Sequence, residues 1–358
     1  MHITLLIYGS LDTVSGGYLY DRKLVEHLRA QGDTVEIISL PWRSYSTHLL
    51  DNLAPALYRR LRTLRTDVLI QDELNHPSLF WVNRALRATP YPIVSIVHHL
   101  RSSELRPAWQ NAFYRWVETR YLRTIDGFIY NSRTTHKIVE ALLTVPKPGV
   151  VAHPAGDRLP IQTTPDEIRN RLNHRDGLRM LLLGNVTHRK GVHTLLDACQ
   201  RLEVGNWSLT VVGGLEVEPD YVSAMVDTVQ KRGWQDRVTF TGPVMDERLL
   251  DIMRKVDVLV MPSSFEGFGI AYLEGMGMGL PAIATTAGAA HEIITHGKDG
   301  FLIPPENPTV LAEKLNQLIH TPKRLETMSL AALDRYRAFP NWETSMAAIR
   351  SFLVPFTS

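Results

Sequence analysis

The sequence predicts an α/β protein of two doubly wound domains, each a parallel sheet with helices on both faces. Three observations lead there. Short apolar runs, such as 179–183 and 258–261, alternate with helical segments, the pattern of repeated βαβ units. The chain has 358 residues, long for one domain and comfortable for two. A stretch over 150–160 is rich in Pro and Gly and carries no period, as a linker does. Residues 1–155 then form the first domain and 156–340 the second, with a terminal helical segment over 341–358.

In the first half, 2–8 reads as a buried strand and 9–17 as a loop ending in Ser15-Gly16-Gly17. A helix over 18–31 follows, with Leu19, Leu24, Val25 and Leu28 on one side, then a strand over 34–40. No Gly-x-Gly-x-x-Gly follows the first strand, so this is not a dinucleotide fingerprint. Residues 54–65 read as a helix with Arg59, Arg60, Arg62 and Arg65 grouped around Leu57, Leu61 and Leu64. That face is either plainly solvated or a contact for anionic lipid or a lipid-linked acceptor. Strands over 68–70 and 92–97 end at Gln71-Asp72-Glu73 and at His98-His99, where α/β clefts open. A helix over 115–121, a strand over 127–130 and an Asn131-Ser132 cap complete the domain.

The second half begins with a strand over 179–183, a turn over 184–191 and a helix over 192–202. Arg189 and Lys190 stand at that helix start, where cations oppose the dipole; a bound anion relieves the conflict. Strands over 209–213 and 238–242 alternate with helices over 221–232 and 246–256. The strand over 258–261 leads through the loop Glu266-Gly267-Phe268-Gly269 into a helix over 270–278 and a strand from 282. Strand, Gly-rich turn and helix aim backbone N–H groups and a positive dipole end at an anion. Gly275, Gly277 and Gly279 weaken the helix and point to close packing or close backbone approach. Helices ending near His320, over 325–336 and over 342–353 follow Pro308.

Composition narrows the class. The chain is 44% hydrophobic and 21% charged, ordinary for a soluble globular protein. The single cysteine, Cys199, cannot form an internal disulfide and fits a reducing compartment, so a cytoplasmic setting is expected. No apolar run reaches the ~18 residues of a membrane span, and the opening MHITLLIYGS reads as a strand rather than a leader. Residues 1–155 hold 18 Lys/Arg against 13 Asp/Glu, net +5; the remainder holds 21 against 24, net −3. The bias favours anionic partners of the first half and falls short of a nucleic-acid binder's charge.

The run EGFGIAYLEGMGMGLPAIAT, followed by AGAAHEI, resembles the signature of the retaining nucleotide-sugar glycosyltransferases of family 4, which have the GT-B fold. Gly275 and Gly277 stand where that family usually has Ala, and Gly288-Ala289 where it has Gly-Gly. The resemblance implies two Rossmann-like domains facing a cleft, acceptor on the N-terminal one and nucleotide-sugar on the other, with the terminal segment packing back on the N-terminal domain. It implies that Gly16 and Gly17 admit the donor phosphate and acceptor, and that His98 lies against the reacting sugar. The family usually has Asp where this chain has His99. Lys190 and the N–H groups of Phe268, Gly269 and Ile270 would neutralise the diphosphate; Glu274 would hold the ribose and Glu266 the transferred sugar. Asn185 stands where the family usually has Arg, which leaves the diphosphate one cation short unless Arg189 turns inward.

The expected activity is retaining hexosyl transfer from a UDP-, GDP- or ADP-sugar to a hydroxyl of a glycan, glycolipid or small molecule. No metal is expected, since no Asp-x-Asp motif ends a strand, and no cofactor. A sugar-nucleotide epimerase or phosphorylase of the same fold, or a non-catalytic sugar-nucleotide binder, are the alternatives. The latter would be signalled by loss of His98, Lys190 or Glu266, and all three are present.

Overall fold

β1, His2–Tyr8, forms a central strand because six of its seven residues are buried and five of those are apolar or aromatic. It belongs to a computed structural model that describes residues 1–203 and 206–357 and divides into two compact units, Met1–Pro154 with Pro340–Ser358, and Ala155–Phe339. Ser358, the end of the expected terminal segment, lies outside the described residues.

In the first unit β1 is followed by α1 (Gly16–Ala30), β2 (Thr34–Leu40), α2 (Tyr45–Leu50), α3 (Pro55–Arg62), β3 (Val68–Asp72) and α4 (His76–Ala85). Then come β4 (Ile93–Val97), α5 (Ala108–Leu122), β5 (Gly127–Tyr130), α6 (Arg133–Glu140) and β6 (Gly149–Val151). All six strands are parallel, in the order β2-β1-β3-β4-β5-β6. The order turns back between β1 and β3, so the loops after those strands splay apart at their C-terminal ends.

The second unit runs α7 (Pro165–Asn173), β7 (Leu178–Leu183), α8 (Val192–Cys199), β8 (Trp207–Val212), α9 (Pro219–Lys231) and β9 (Val238–Gly242). It continues α10 (Asp246–Met253), β10 (Val258–Met261), α11 (Ile270–Gly277), β11 (Ala282–Thr285), α12 (Ala290–Ile293), β12 (Gly300–Ile303), α13 (Pro308–His320) and α14 (Pro322–Arg337). Its strands are also parallel, in the order β12-β11-β10-β7-β8-β9, and the switch point lies between β7 and β10. Apolar cores cover both faces of this sheet: Met180, Leu182 and Val260 on one, Leu181, Leu259 and Met261 on the other.

The last helix, α15 (Trp342–Leu353), lies in the first unit against α1. Trp342 meets Tyr20 edge to face at 5.9 Å, and Arg350 Nε donates to Asp33 at 2.7 Å. The N-terminal amine donates to the same carboxyl at 2.8 Å, and these partners hold Asp33 below the usual carboxylate range despite its burial.

Several expectations shift. α1 begins at Gly16, capped by Ser15, and Leu19 is only half-buried. The buried stripe is Asp21, Leu24, Val25 and Leu28, spacing i, i+3, i+4, i+7, with an aspartate where an apolar residue belongs. β6 occupies 149–151, overlapping the start of the expected linker, because Val150 and Val151 pair with Ile129 and Tyr130 on β5. β12, α2, α4, α7 and α12 are elements that the sequence pattern does not mark. α3 ends at Arg62, so Arg65 lies beyond it; Arg59, Arg60 and Arg62 are exposed.

Candidate active site

At the β7/β10 switch point the two following loops approach each other. The turn after β7 ends in a short 3-10 turn, His188–Lys190, and the loop after β10 ends at Gly269, the N-cap of α11. Gly269 has φ +98°, and a Cβ there would stand 2.3 Å from the Tyr272 ring, so only glycine fits. The N-cap makes no side-chain hydrogen bond and the first turn of α11 carries no acid, so this helix start presents the positive end of its dipole with no acid to offset it.

Lys190 Nζ donates to Glu266 at 2.6 Å. Arg189 turns toward the same carboxylate, 3.6 Å away, and donates to the Phe265 carbonyl at 2.8 Å. Burial pulls the Lys190 pKa down, against the pull of Glu266. The pair is a stored charge: an arriving anion can take Lys190 from Glu266, freeing a carboxylate to accept hydroxyl hydrogen bonds.

Glu274, buried in α11, does not project alone. Arg158 Nε donates to it at 2.5 Å and to Asp246 through a second nitrogen at 2.6 Å. Burial raises the Glu274 pKa, with Arg158 opposing. Arg158 lies in the stretch read as linker, so no motif pointed to it. Asn185 spends its carbonyl oxygen on the Gly214 amide at 3.1 Å, bracing the loop after β8 rather than standing in for an arginine. The helix glycines do pack closely: a Cβ on Gly275 would meet Leu259 at 3.1 Å, and one on Gly277 would meet Ile161 at 3.0 Å. A cavity of about 770 Å³ elsewhere in this unit, beside Arg171 and Arg254, is lined by none of the residues expected at the site.

In the first unit, His98 follows β4 and is buried. Asn131 Nδ2 donates to its carbonyl at 2.7 Å, so the Asn131-Ser132 segment both caps α6 and fixes the His98 backbone. Its Nε2 lies 3.4 Å from Asp21. Asp72, at the end of β3, completes a buried group whose ligand-capable atoms all lie within 4.8 Å of one another. Asp21 comes from α1, Asp72 from the end of β3 and His98 from the loop after β4, so spacing in sequence could not reveal them. Burial, then the Asp21 charge, pushes the Asp72 carboxyl up to about 7. Burial alone would lower His98, but Asp21 and Asp72 raise it above its ordinary value. Gly17 makes room: a Cβ there would be 3.3 Å from His98 Cδ2. Gly16 is exposed in the first turn of α1. His99 turns to Glu104, at 3.0 Å.

Comparison with known proteins follows this division. Residues 15–156 match the Glycosyl transferase 4-like domain and residues 165–335 match Glycosyl transferases group 1. A GDP-mannose-dependent alpha-(1-6)-phosphatidylinositol monomannoside mannosyltransferase from Mycobacterium tuberculosis is 29% identical over 52% of this chain and 50% of its own. A D-inositol 3-phosphate glycosyltransferase from Streptomyces scabiei is 30% identical over 64% of this chain and 54% of its own. The chain thus spans about half the length of the curated relatives it matches. Among solved structures, a sucrose-phosphate synthase from Thermosynechococcus elongatus is 21% identical, with a TM-score of 0.83 over 99% of this chain and 98% of that one. Anabaena HepE, in complex with UDP and glucose, is 20% identical, with a TM-score of 0.78 over 99% of this chain and all of that one. With both halves matched in order and the fold shared along the chain, this protein belongs to the group 1 glycosyltransferases of family 4 type and has the two-domain GT-B fold.

Proposed function

We propose that the protein is a retaining glycosyltransferase that moves a hexosyl group from a nucleotide-diphosphate sugar to an acceptor hydroxyl. The observation that carries this reading is the Lys190–Glu266 pair beside the uncapped start of α11, at the switch point of the second unit. In the reaction the bond from the anomeric carbon to the diphosphate oxygen breaks and the acceptor oxygen takes its place; the acceptor proton passes to the departing diphosphate. Lys190, Arg189 and the N–H groups of Phe268, Gly269 and Ile270 hold the charge that develops on the leaving group. Glu266, once released, holds the transferred sugar; in the first unit, His98 is the residue proposed to meet a sugar. Glu274, steadied by Arg158, holds the ribose. Relatives that use GDP-mannose or were crystallised with UDP support a nucleotide-sugar donor without choosing the base.

These residues supply the positive charge that a divalent ion would otherwise bring, so turnover is expected to survive chelation. Among the described residues no helix is long and apolar enough to cross a membrane. A lipid-linked acceptor would be met peripherally, with exposed Arg59, Arg60 and Arg62 of α3 near anionic headgroups.

The test is a thermal-shift screen against UDP, GDP, ADP and their sugars, followed by turnover with the stabilising donor, with and without EDTA. A ligand at 100 times its Kd adds about 2.7 kcal/mol, a readily measured shift. Stabilisation by none of them would sink the reading. Loss of turnover in EDTA would instead assign a metal, with Asp21, Asp72 and His98 the place to look.

A further inference from the structure

We infer that the outer face of α5 is a membrane-docking surface that seats the first unit on anionic lipid. α5 carries two stripes. Val117, Tyr121 and Leu122 face the core and are buried. A second stripe, Trp109, Phe113 and Trp116, follows the helical spacing i, i+4, i+7, yet points to solvent at 72%, 43% and 45% exposure. Trp81 on α4 adds a fourth large aromatic, 49% exposed, linked to the stripe through Phe80, whose ring lies 5.2 Å from Trp81 and 6.3 Å from Trp116. A groove of about 370 Å³ beside the stripe is lined by Tyr45, Leu49, Trp109 and Phe113. Single exposed apolar residues need no explanation; four large aromatics on adjoining helices do.

Charge selects the occupant. Residues 76–123 hold seven Arg and no Lys, against Glu104 and Glu118. Glu118 is buried and accepts from Ser102, and Glu104 is taken by Arg106 and His99. Arg84, Arg87, Arg115, Arg120 and Arg123 are exposed, and Arg120 stacks on Trp116 at 3.5 Å. Aromatic bodies flanked by guanidinium groups match the boundary between acyl chains and anionic headgroups. A second copy of this chain would present the same positive face across a two-fold interface and be repelled. The surface therefore fits a negatively charged membrane.

This deepens the reading of a lipid-linked acceptor, but its test needs neither donor nor turnover, so the two can fail separately. The full chain is sedimented with vesicles of neutral lipid alone and of neutral lipid with 30% anionic lipid, about that fraction being enough for a strong negative surface potential. Binding is expected only to the anionic vesicles, weakening as salt rises. The triple variant W109S/F113S/W116S changes only exposed positions and should fold, checked by its melting curve. Its partition is expected to fall by about tenfold or more, while Arg59, Arg60 and Arg62 changed to Gln should reduce it less. Blue-shifted tryptophan emission on vesicle addition, absent in the triple variant, is the second readout. Equal partition of wild type and triple variant overturns the proposal, as does concentration-dependent dimerisation that the triple variant abolishes without any vesicle binding.

Discussion

Lys190 is the residue on which the proposed chemistry turns. It is partly buried, paired with Glu266 at 2.6 Å and held at the entry to α8. Lys190→Ala is expected to lower turnover by roughly two orders of magnitude, since it removes charge from the leaving group; steady-state rates that match wild type would remove this role. Glu266 and Glu274 should separate in kinetics. In the role proposed for it, Glu274 holds the ribose equally before and at the transition state, so in Glu274→Ala the donor's KM should rise while kcat holds. Glu266→Ala and His98→Ala should mainly lower kcat. Bare nucleotide diphosphate is the control: calorimetry should find weaker binding in Glu274→Ala and unchanged binding in His98→Ala. If Glu266→Ala loses bare nucleotide as fully as Glu274→Ala, the assigned division is wrong. Asn185→Arg would lose the Gly214 contact, so the expected result is no gain in donor affinity from restoring the family's usual residue.

At the scale of elements, the loops hold the site and the helix starts aim it. The first turn of α1 presses against His98 at Gly17. Gly17→Ala needs no unusual backbone angle, but its methyl must push the imidazole by a few tenths of an ångström. Turnover is expected to fall by about tenfold, because small misplacements of a reacting group are costly, with bare-nucleotide affinity intact. A drop in both would mean that α1 supports the whole fold rather than His98. Much of this scale was legible beforehand. The β10–α11 segment, its Gly-rich turn and its close-packed glycines follow from local chemistry. α4 and α7 carry no clear periodic signal, and β6 is invisible in sequence because a three-residue strand has no period and exists only through pairing with β5.

For the whole molecule, the buried acids at the C-terminal edge of the first sheet tie stability to pH. Asp72 has an ordinary pKa near 4 when unfolded and about 7 when folded. Between those values the native state holds the extra proton, so stability falls as pH rises through that window. His98, raised by its carboxylate neighbours, adds stability below its ordinary pKa that is lost as pH climbs through the raised value, in the same direction. The Tm of wild type is therefore expected to decline from about pH 5 to about pH 8, and that of Asp72→Asn to decline less. Parallel curves for the two proteins would show that Asp72 does not carry the effect.

The sequence by itself determined the two-domain α/β class, the Gly269 turn and the positions of Lys190, Glu266 and His98, because each rests on local periodicity, turn chemistry or a contiguous motif. Tertiary structure alone decided which charges meet. Arg158 reaches Glu274 across 116 residues of chain and Lys190 reaches Glu266 across 76. Asp21, Asp72 and His98 converge only because β1, β3 and β4 lie side by side, and parallel sheet order is set by long-range burial that no local pattern encodes.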